Sequence, residues 1–282
     1  MGFYLSKYQA EEILKAHWRG GDGVDVSLDL GITKSRVRFD GESVILPDGQ
    51  RIRLDIIRKV SSDLTCCLIE GGEVLKMQFF LKETGKFYRL ISSGLASPPT
   101  AEISGIRMHR MKGRNPRTDT LDKVRSIAPL GGRVLDTCCG LGYTAIESLN
   151  AGASEVYTVE VDPGMVHLRE SNPWSDKLSD ERIVKVAGDV FDVVKGYPDG
   201  FFNSIIHDPP MLSIAGVLYS RDFYRQLLRV LVPGGRLFHY VGAPGSRYRG
   251  KNPALGVMNR LMDSGFTQVE EKSEALGVVA VK

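Results

Sequence analysis

Apolar and polar positions follow two different rhythms along this chain. Helical spacing runs from Tyr8 to His17, and alternation then takes over. Lys34, Arg36 and Arg38 alternate with Ser35, Val37 and Phe39, and after a Pro47-Asp48-Gly49 turn Arg51 and Arg53 alternate with Ile52 and Leu54. These runs predict a hairpin with one basic face. Further strands are expected around Thr65 to Ile69 and Leu75 to Leu81, separated by Gly71-Gly72. The first unit is thus a small, β-rich α+β domain.

Ser92-Ser93-Gly94 and Ser97-Pro98-Pro99 interrupt both rhythms, because consecutive prolines continue neither a helix nor a central strand. They set an expected boundary, with one domain over 1–97 and a second over 98–282. Beyond it, short apolar runs alternate with amphipathic stretches of helix length. The runs are Arg133 to Leu135, Val156 to Val159, Ile183 to Val186, Ser204 to Ile206 and Arg236 to Val241. This alternation predicts an α/β unit, a mostly parallel sheet with helices on both faces. A last pair of strands, Phe266 to Glu271 and Leu276 to Val281, closes it.

Composition changes this picture little. A chain of 282 residues, 42% of them hydrophobic, can fill two cores. No apolar run approaches the roughly eighteen residues of a membrane span, and Met1 to Lys7 lack a signal pattern, so a cytoplasmic enzyme without membrane contact is expected. The cysteines fall in adjacent pairs, Cys66-Cys67 and Cys138-Cys139, which excludes C-x-x-C spacing and predicts reduced thiols and no metal. A net charge of +3 is too mild to name a partner.

The stretch from Val134 to Gly142 ends a predicted strand and opens a predicted helix that begins with Tyr143 and Thr144. Gly140 and Gly142 let the backbone turn tightly and approach a ligand closely. The spacing from Asp136 resembles the D-x-G-x-G-x-G loop of class I methyltransferases, with Cys138 in the place of the first glycine. Glu160 ends the next strand, where an acid in this architecture accepts hydrogen bonds from ribose hydroxyls, and Asp162 competes for that role. Gly188-Asp189-Val190 closes the third strand. Any one acid at a strand end is commonly a helix cap. Their order and register together favour a nucleotide-like cofactor.

His207-Asp208-Pro209-Pro210 closes the fourth strand, at the sheet edge where ligands of open α/β folds collect. It resembles the D/N-P-P-aromatic motif of methyltransferases that modify exocyclic amino groups of bases. Such an amine has its lone pair delocalised into the ring and needs acceptors for its hydrogens, which the Asp208 carboxylate and the Pro209 carbonyl can supply. Met211 and Leu212 follow where an aromatic residue would stack on the base, so the ring is expected from Tyr219, Phe223 or Tyr240.

Between Glu102 and Asp119 lie Arg107, His109, Arg110, Lys112, Arg114 and Arg117 without an acid. Arg225, Arg229, Arg236, Arg247, Arg249, Lys251 and Arg260 likewise fall between Asp222 and Asp263. Such segments suit phosphate contacts around a pocket that admits an unstacked base.

Ser104 to Arg110, Asp119-Thr120, the Asp136 to Gly142 loop, His207 to Pro210 and Leu237 to Tyr240 together resemble a family of archaeal class I methyltransferases. The resemblance implies a Rossmann-like fold of seven strands, mostly parallel with an antiparallel last strand. It implies S-adenosylmethionine as methyl donor, S-adenosylhomocysteine as product and contact between Asp189 and the adenine amino group. Asp119 and Thr120 join the cofactor set by the same resemblance. The implied substrate is an RNA base amine, cytosine N4 of ribosomal RNA first, acted on by a monomer or homodimer. A small amine, a protein side chain, or a binding module without catalysis are the competing readings.

Overall fold

The computed structural model describes residues 2–242 and 253–282, which form two compact units, residues 1–117 with 164–176 and residues 118–163 with 177–282. The first contains β1 (Phe3–Leu5), α1 (Lys7–Trp18), β2 (Gly23–Val26), β3 (Ser35–Asp40), β4 (Ser43–Ile45), β5 (Arg51–Arg53) and α2 (Leu54–Ser61). It continues with β6 (Cys67–Glu70), β7 (Glu73–Lys76), β8 (Gln78–Leu81), β9 (Lys86–Ile91), β10 (Thr100–Ile103) and β11 (Ile106–Arg107). Among the described residues these strands form antiparallel sheets ordered β1-β6-β7, β2-β3-β4-β5 and β11-β10-β9-β8. α1 starts at a capping box, in which Ser6 Oγ accepts from the Tyr8 amide and Gln9 Oε1 accepts from the Ser6 amide. Leu5, Ile13, Val37, Ile52, Leu54 and Ile57 pack together in one core.

Three expectations need correction here. β3 does not pair with β5, because β4 lies between them and the Pro47-Asp48-Gly49 turn joins β4 to β5. The basic face is also partly compensated: Arg36 pairs with Asp22 at 2.7 Å and Asp25 at 3.6 Å, Arg53 with Asp55 at 2.9 Å, and Arg51 with Asp40. The boundary moves from 97 to 117, because the chain after Pro98-Pro99 returns as β10 and sets Thr100 opposite Ile91 of β9. Residues 164–176 also join this unit. Trp174 Nε1 donates to the Leu30 carbonyl at 3.0 Å, and a Cβ on Gly164 would lie 2.2 Å from the Tyr88 ring.

The remaining elements are α3 (Pro116–Arg125), β12 (Arg133–Asp136), α4 (Tyr143–Asn150), β13 (Glu155–Glu160), α5 (Pro163–Glu170) and β14 (Ile183–Ala187). After them come α6 (Val190–Val193), β15 (Phe202–His207), α7 (Arg221–Val230), β16 (Leu231–Tyr240), α8 (Pro253–Asp263), β17 (Thr267–Lys272) and β18 (Gly277–Val281). Among the described residues a seven-stranded sheet runs β14-β13-β12-β15-β16-β18-β17. Its first five strands are parallel, and β18 inserts antiparallel to both neighbours, as the Rossmann-like methyltransferase fold requires. Phe202, Ile205, Phe223, Leu227 and Leu237 fill one face, and Val124, Ile127, Val134, Val156 and Phe238 fill the other. β16 starts earlier than the apolar run from Arg236 suggests. Leu231 already pairs with Phe202, and Pro233-Gly234-Gly235 forms an irregularity inside the strand, tied to Lys282 by two backbone hydrogen bonds.

Candidate functional site

Parallel pairing fixes which residues share an edge. Asp136 lies opposite Thr158 on one side and Ile206 on the other, so the glycine loop, Glu160 and His207-Asp208 all leave the sheet at its carboxyl end. Side chains then tie these segments together. Asp136 is fully buried, accepts from Thr144 Oγ1 at 3.0 Å and from Thr158 Oγ1 at 2.6 Å, and is pushed up to about 7 by burial. Thr137 Oγ1 and His207 Nδ1 are 2.7 Å apart, which joins the loop after β12 to the end of β15. The Cys138 thiol is raised by burial and then by the charges of Glu160, Asp136 and Asp208.

Glu160 is held by two backbone amides, Gly140 to Oε2 at 2.8 Å and Asp162 to Oε1 at 2.9 Å. Asp189 is exposed and caps α6 by accepting from the Phe191 amide at 2.9 Å. Other members of the expected cofactor set face inward. Thr120 and Tyr143 are buried, Val190 belongs to the apolar core, and the Thr144 hydroxyl is committed to Asp136.

Lys123 was not anticipated from the sequence. It sits one helical turn after Asp119 on α3, with its side chain 2% exposed. Its Nζ lies 2.9 Å from Asp119 Oδ2, 2.6 Å from Asp208 Oδ2 and 4.4 Å from the Tyr240 ring centroid. Burial works against the ammonium, but Asp208 and Asp119 outweigh it and hold the group above the ordinary lysine value. Asp208 thus has a built-in counter-charge while 21% of its side chain stays accessible.

His207 lies inside the protein, not in the cleft. Nε2 is 3.0 Å from the Leu218 carbonyl, Nδ1 faces Thr137, and burial pulls the ring down to about 3, so it stays neutral and ties the end of β15 to its neighbours. The His239 ring packs edge-on against it and reaches Tyr224 Oη at 2.8 Å. Tyr219 donates to the Pro210 carbonyl at 3.0 Å. Of the aromatic residues considered for stacking, Phe223 and Tyr219 are buried and Tyr240 is half-buried, whereas the thioether side chain of Met211 belongs to a residue 52% exposed.

The basic segments divide. Arg107 binds Glu102 at 3.2 Å, His109 Nδ1 lies 2.9 Å from Thr100 Oγ1, and Arg229 binds Asp199 and the Tyr197 and Val194 carbonyls. His109 and Arg229 thus serve the protein's own structure, whereas Arg107 is anchored by Glu102 with 40% of its side chain still accessible. Arg110 is half-buried, Lys112 and Arg114 are exposed, and Arg247, Arg249 and Lys251 lie outside the described residues.

Sheet order, glycine loop and the edge of acids define a Rossmann-like S-adenosylmethionine-dependent methyltransferase. More particularly, the chain belongs to the methyltransferase small domain family, whose model matches residues 119–272. It is 45% identical to the uncharacterised protein MJ1233 of Methanocaldococcus jannaschii, over 99% of this chain and 95% of that one. Polyamine aminopropyltransferase 2 of Streptomyces coelicolor is 34% identical over 42% of this chain and 23% of its own length. Ribosomal RNA large subunit methyltransferase I of Photobacterium profundum is 29% identical over 39% of this chain and 30% of its own length. S-adenosylmethionine is the cofactor. The residues present fit it. Gly140, Gly142 and Gly188 have φ of 54°, 82° and 147°, a region that favours glycine, and Glu160 presents a carboxylate pre-ordered by two amides.

Proposed function

We propose that this protein methylates an exocyclic amino group of an RNA base, with cytosine N4 of ribosomal RNA the first candidate. The observation that carries the reading is Asp208, ion-paired by buried Lys123 at 2.6 Å and followed by two prolines at the sheet's carboxyl edge. Bound S-adenosylmethionine supplies an electrophilic methyl group. Around it, the glycine loop and Glu160 would hold the ribose end, and Asp189 the adenine. Asp208, ion-paired with Lys123, accepts a hydrogen bond from the target amine, and the Pro209 carbonyl accepts the other. With both hydrogens held, the nitrogen lone pair turns out of conjugation towards the methyl carbon. Transfer would exchange the donor's S–CH3 bond for N–CH3 with S-adenosylhomocysteine as the leaving group, Asp208 or water would take the proton the nitrogen gives up, and Met211 would offer an apolar surface for the base.

The likeness to an aminopropyltransferase raises a second reading, transfer to a cationic amine. Lys123 weighs against it. A polycation is drawn to uncompensated carboxylates, and here the ammonium already neutralises much of the Asp119 and Asp208 charge. A neutral base amine needs no such uncompensated charge. The partial likeness to a ribosomal RNA methyltransferase also supports the first reading.

Tritium transfer from labelled S-adenosylmethionine to total RNA, with the unsubstituted chain and with Asp208→Ala, tests it. Label in RNA that disappears with Asp208 is expected. Label confined to protein or small amines, or RNA labelling that survives Asp208→Ala, overturns it.

A further inference from the structure

We propose that the outer face of the β8-β9-β10-β11 sheet is a stacking platform for single-stranded RNA, a role that rests on the RNA reading above. Phe80 and Phe87 sit directly opposite each other on β8 and β9 and are 58% and 38% exposed. Directly paired residues share one face, so the two rings form a continuous apolar surface towards solvent. The neighbouring register positions carry aromatics on the other face, where Phe79 stacks on buried Tyr88 with centroids 5.2 Å apart. The sheet therefore already has its core, and the outer pair adds nothing to it.

The same outer face carries a polar row across all of its strands. Gln78 is opposite Arg89, Arg89 opposite Glu102, and Glu102 opposite Arg107. Glu102 is 6% exposed and bridges both guanidiniums, Arg89 at 2.6 Å and Arg107 at 3.2 Å. Two cations on one carboxylate leave one positive charge, and the shared anchor fixes both guanidinium groups before any ligand arrives. Arg89 and Arg107 keep 31% and 40% of their side chains accessible.

Exposed rings beside fixed guanidiniums match the chemistry of unstacked nucleotides. Bases stack on aromatic faces and on guanidinium planes, and phosphates take the excess positive charge. A second copy of this chain would bring the same cations to the contact and meet like charge. The charge favours an anionic partner, and the flat rings select bases over phosphate alone.

The test is fluorescence anisotropy with a short, unstructured, end-labelled oligoribonucleotide. It compares the unsubstituted chain with Phe80→Ala/Phe87→Ala and with Phe80→Tyr/Phe87→Tyr, alongside sedimentation and methyl transfer. Loss of stacking should weaken binding about tenfold to a hundredfold in the alanine pair, with near-normal binding in the tyrosine pair. The platform is overturned if the unsubstituted chain does not bind the oligonucleotide, if the alanine pair binds it normally, if the tyrosine pair loses as much as the alanine pair, or if the substitutions alter only sedimentation. Methyl transfer is scored separately. RNA labelling with normal binding by the alanine pair removes the platform and leaves the substrate reading, whereas stacking-dependent binding without any RNA labelling does the reverse.

Discussion

Lys123→Met removes the one ammonium shared by Asp119 and Asp208 while keeping the length of the side chain. The Asp119 side chain is only 1% exposed, so water cannot replace the lost partner. Breaking one member out of a buried ion pair typically costs about 3–5 kcal/mol, because the remaining charge stays desolvated. Asp208 is 21% exposed and recovers some hydration, which places the expected loss nearer the lower figure. That is still a large share of a typical folding margin of about 5–15 kcal/mol. Urea unfolding measures it, and Asp119→Asn/Lys123→Met supplies the control. Neutralising Asp119 should restore most of the stability. It should not restore methyl transfer, because Asp208 still lacks its counter-ion. If Lys123→Met unfolds within about 1 kcal/mol of the unsubstituted chain, the ion pair is not the buried, unhydrated contact argued here.

Tyr219→Phe deletes the hydrogen bond to the Pro210 carbonyl, and we expect about 1 kcal/mol less stability and slower methyl transfer with unchanged cofactor affinity by calorimetry. Gly142→Ala puts a side chain on a residue at φ 82° and a Cβ 2.3 Å from Leu178, so a loss of roughly 1–3 kcal/mol and weaker cofactor binding are expected; an unchanged melt would count against the tight-loop argument. Stability should fall on acidification below about pH 6.5, because His207 and His239 stay neutral in the folded chain, burial holding them down, and take up protons only when unfolded. Asp136 opposes this: pushed up to about 7 by burial, it binds its proton in the folded chain and adds stability as pH falls from about 7 to about 4. Two imidazoles against one carboxyl leave about one proton, or about 1.4 kcal/mol per pH unit from these groups between roughly pH 6.5 and 4. His239→Gln should flatten that slope and Asp136→Asn should steepen it, both read from unfolding curves across that range.

Hydrophobic rhythm proved legible wherever a contact is built from neighbours in sequence. The strands from β12 to β18 are short apolar runs between helix-length stretches, and parallel pairing then places their carboxyl ends together, which is why Asp136, Glu160 and Asp208 could be read as one edge. Charge was less legible, for a physical reason. The i,i+4 spacing of Asp119 and Lys123 is common on solvated helix faces, and nothing local reveals that Asp208, 85 residues from Lys123, closes the cluster and that Lys123 and Asp119 are buried. The basic face of the hairpin is reduced in the same way, because Asp22 lies 14 residues before Arg36, outside the stretch whose alternation looked cationic. Pro98-Pro99 looks alike whether it separates domains or turns the chain between β9 and β10, and only the pairing of Thr100 with Ile91 distinguishes the two. Periodicity reports a side chain's face from its own neighbours, whereas an ion pair depends on distance through the fold. A linear count of arginines therefore overstates a binding surface, and what remains once internal pairs are removed is a better guide to the partner. Here that remainder includes a half-compensated carboxylate at the sheet's carboxyl edge and one surplus guanidinium beside two exposed rings, the two features on which the proposed substrate and the proposed platform rest.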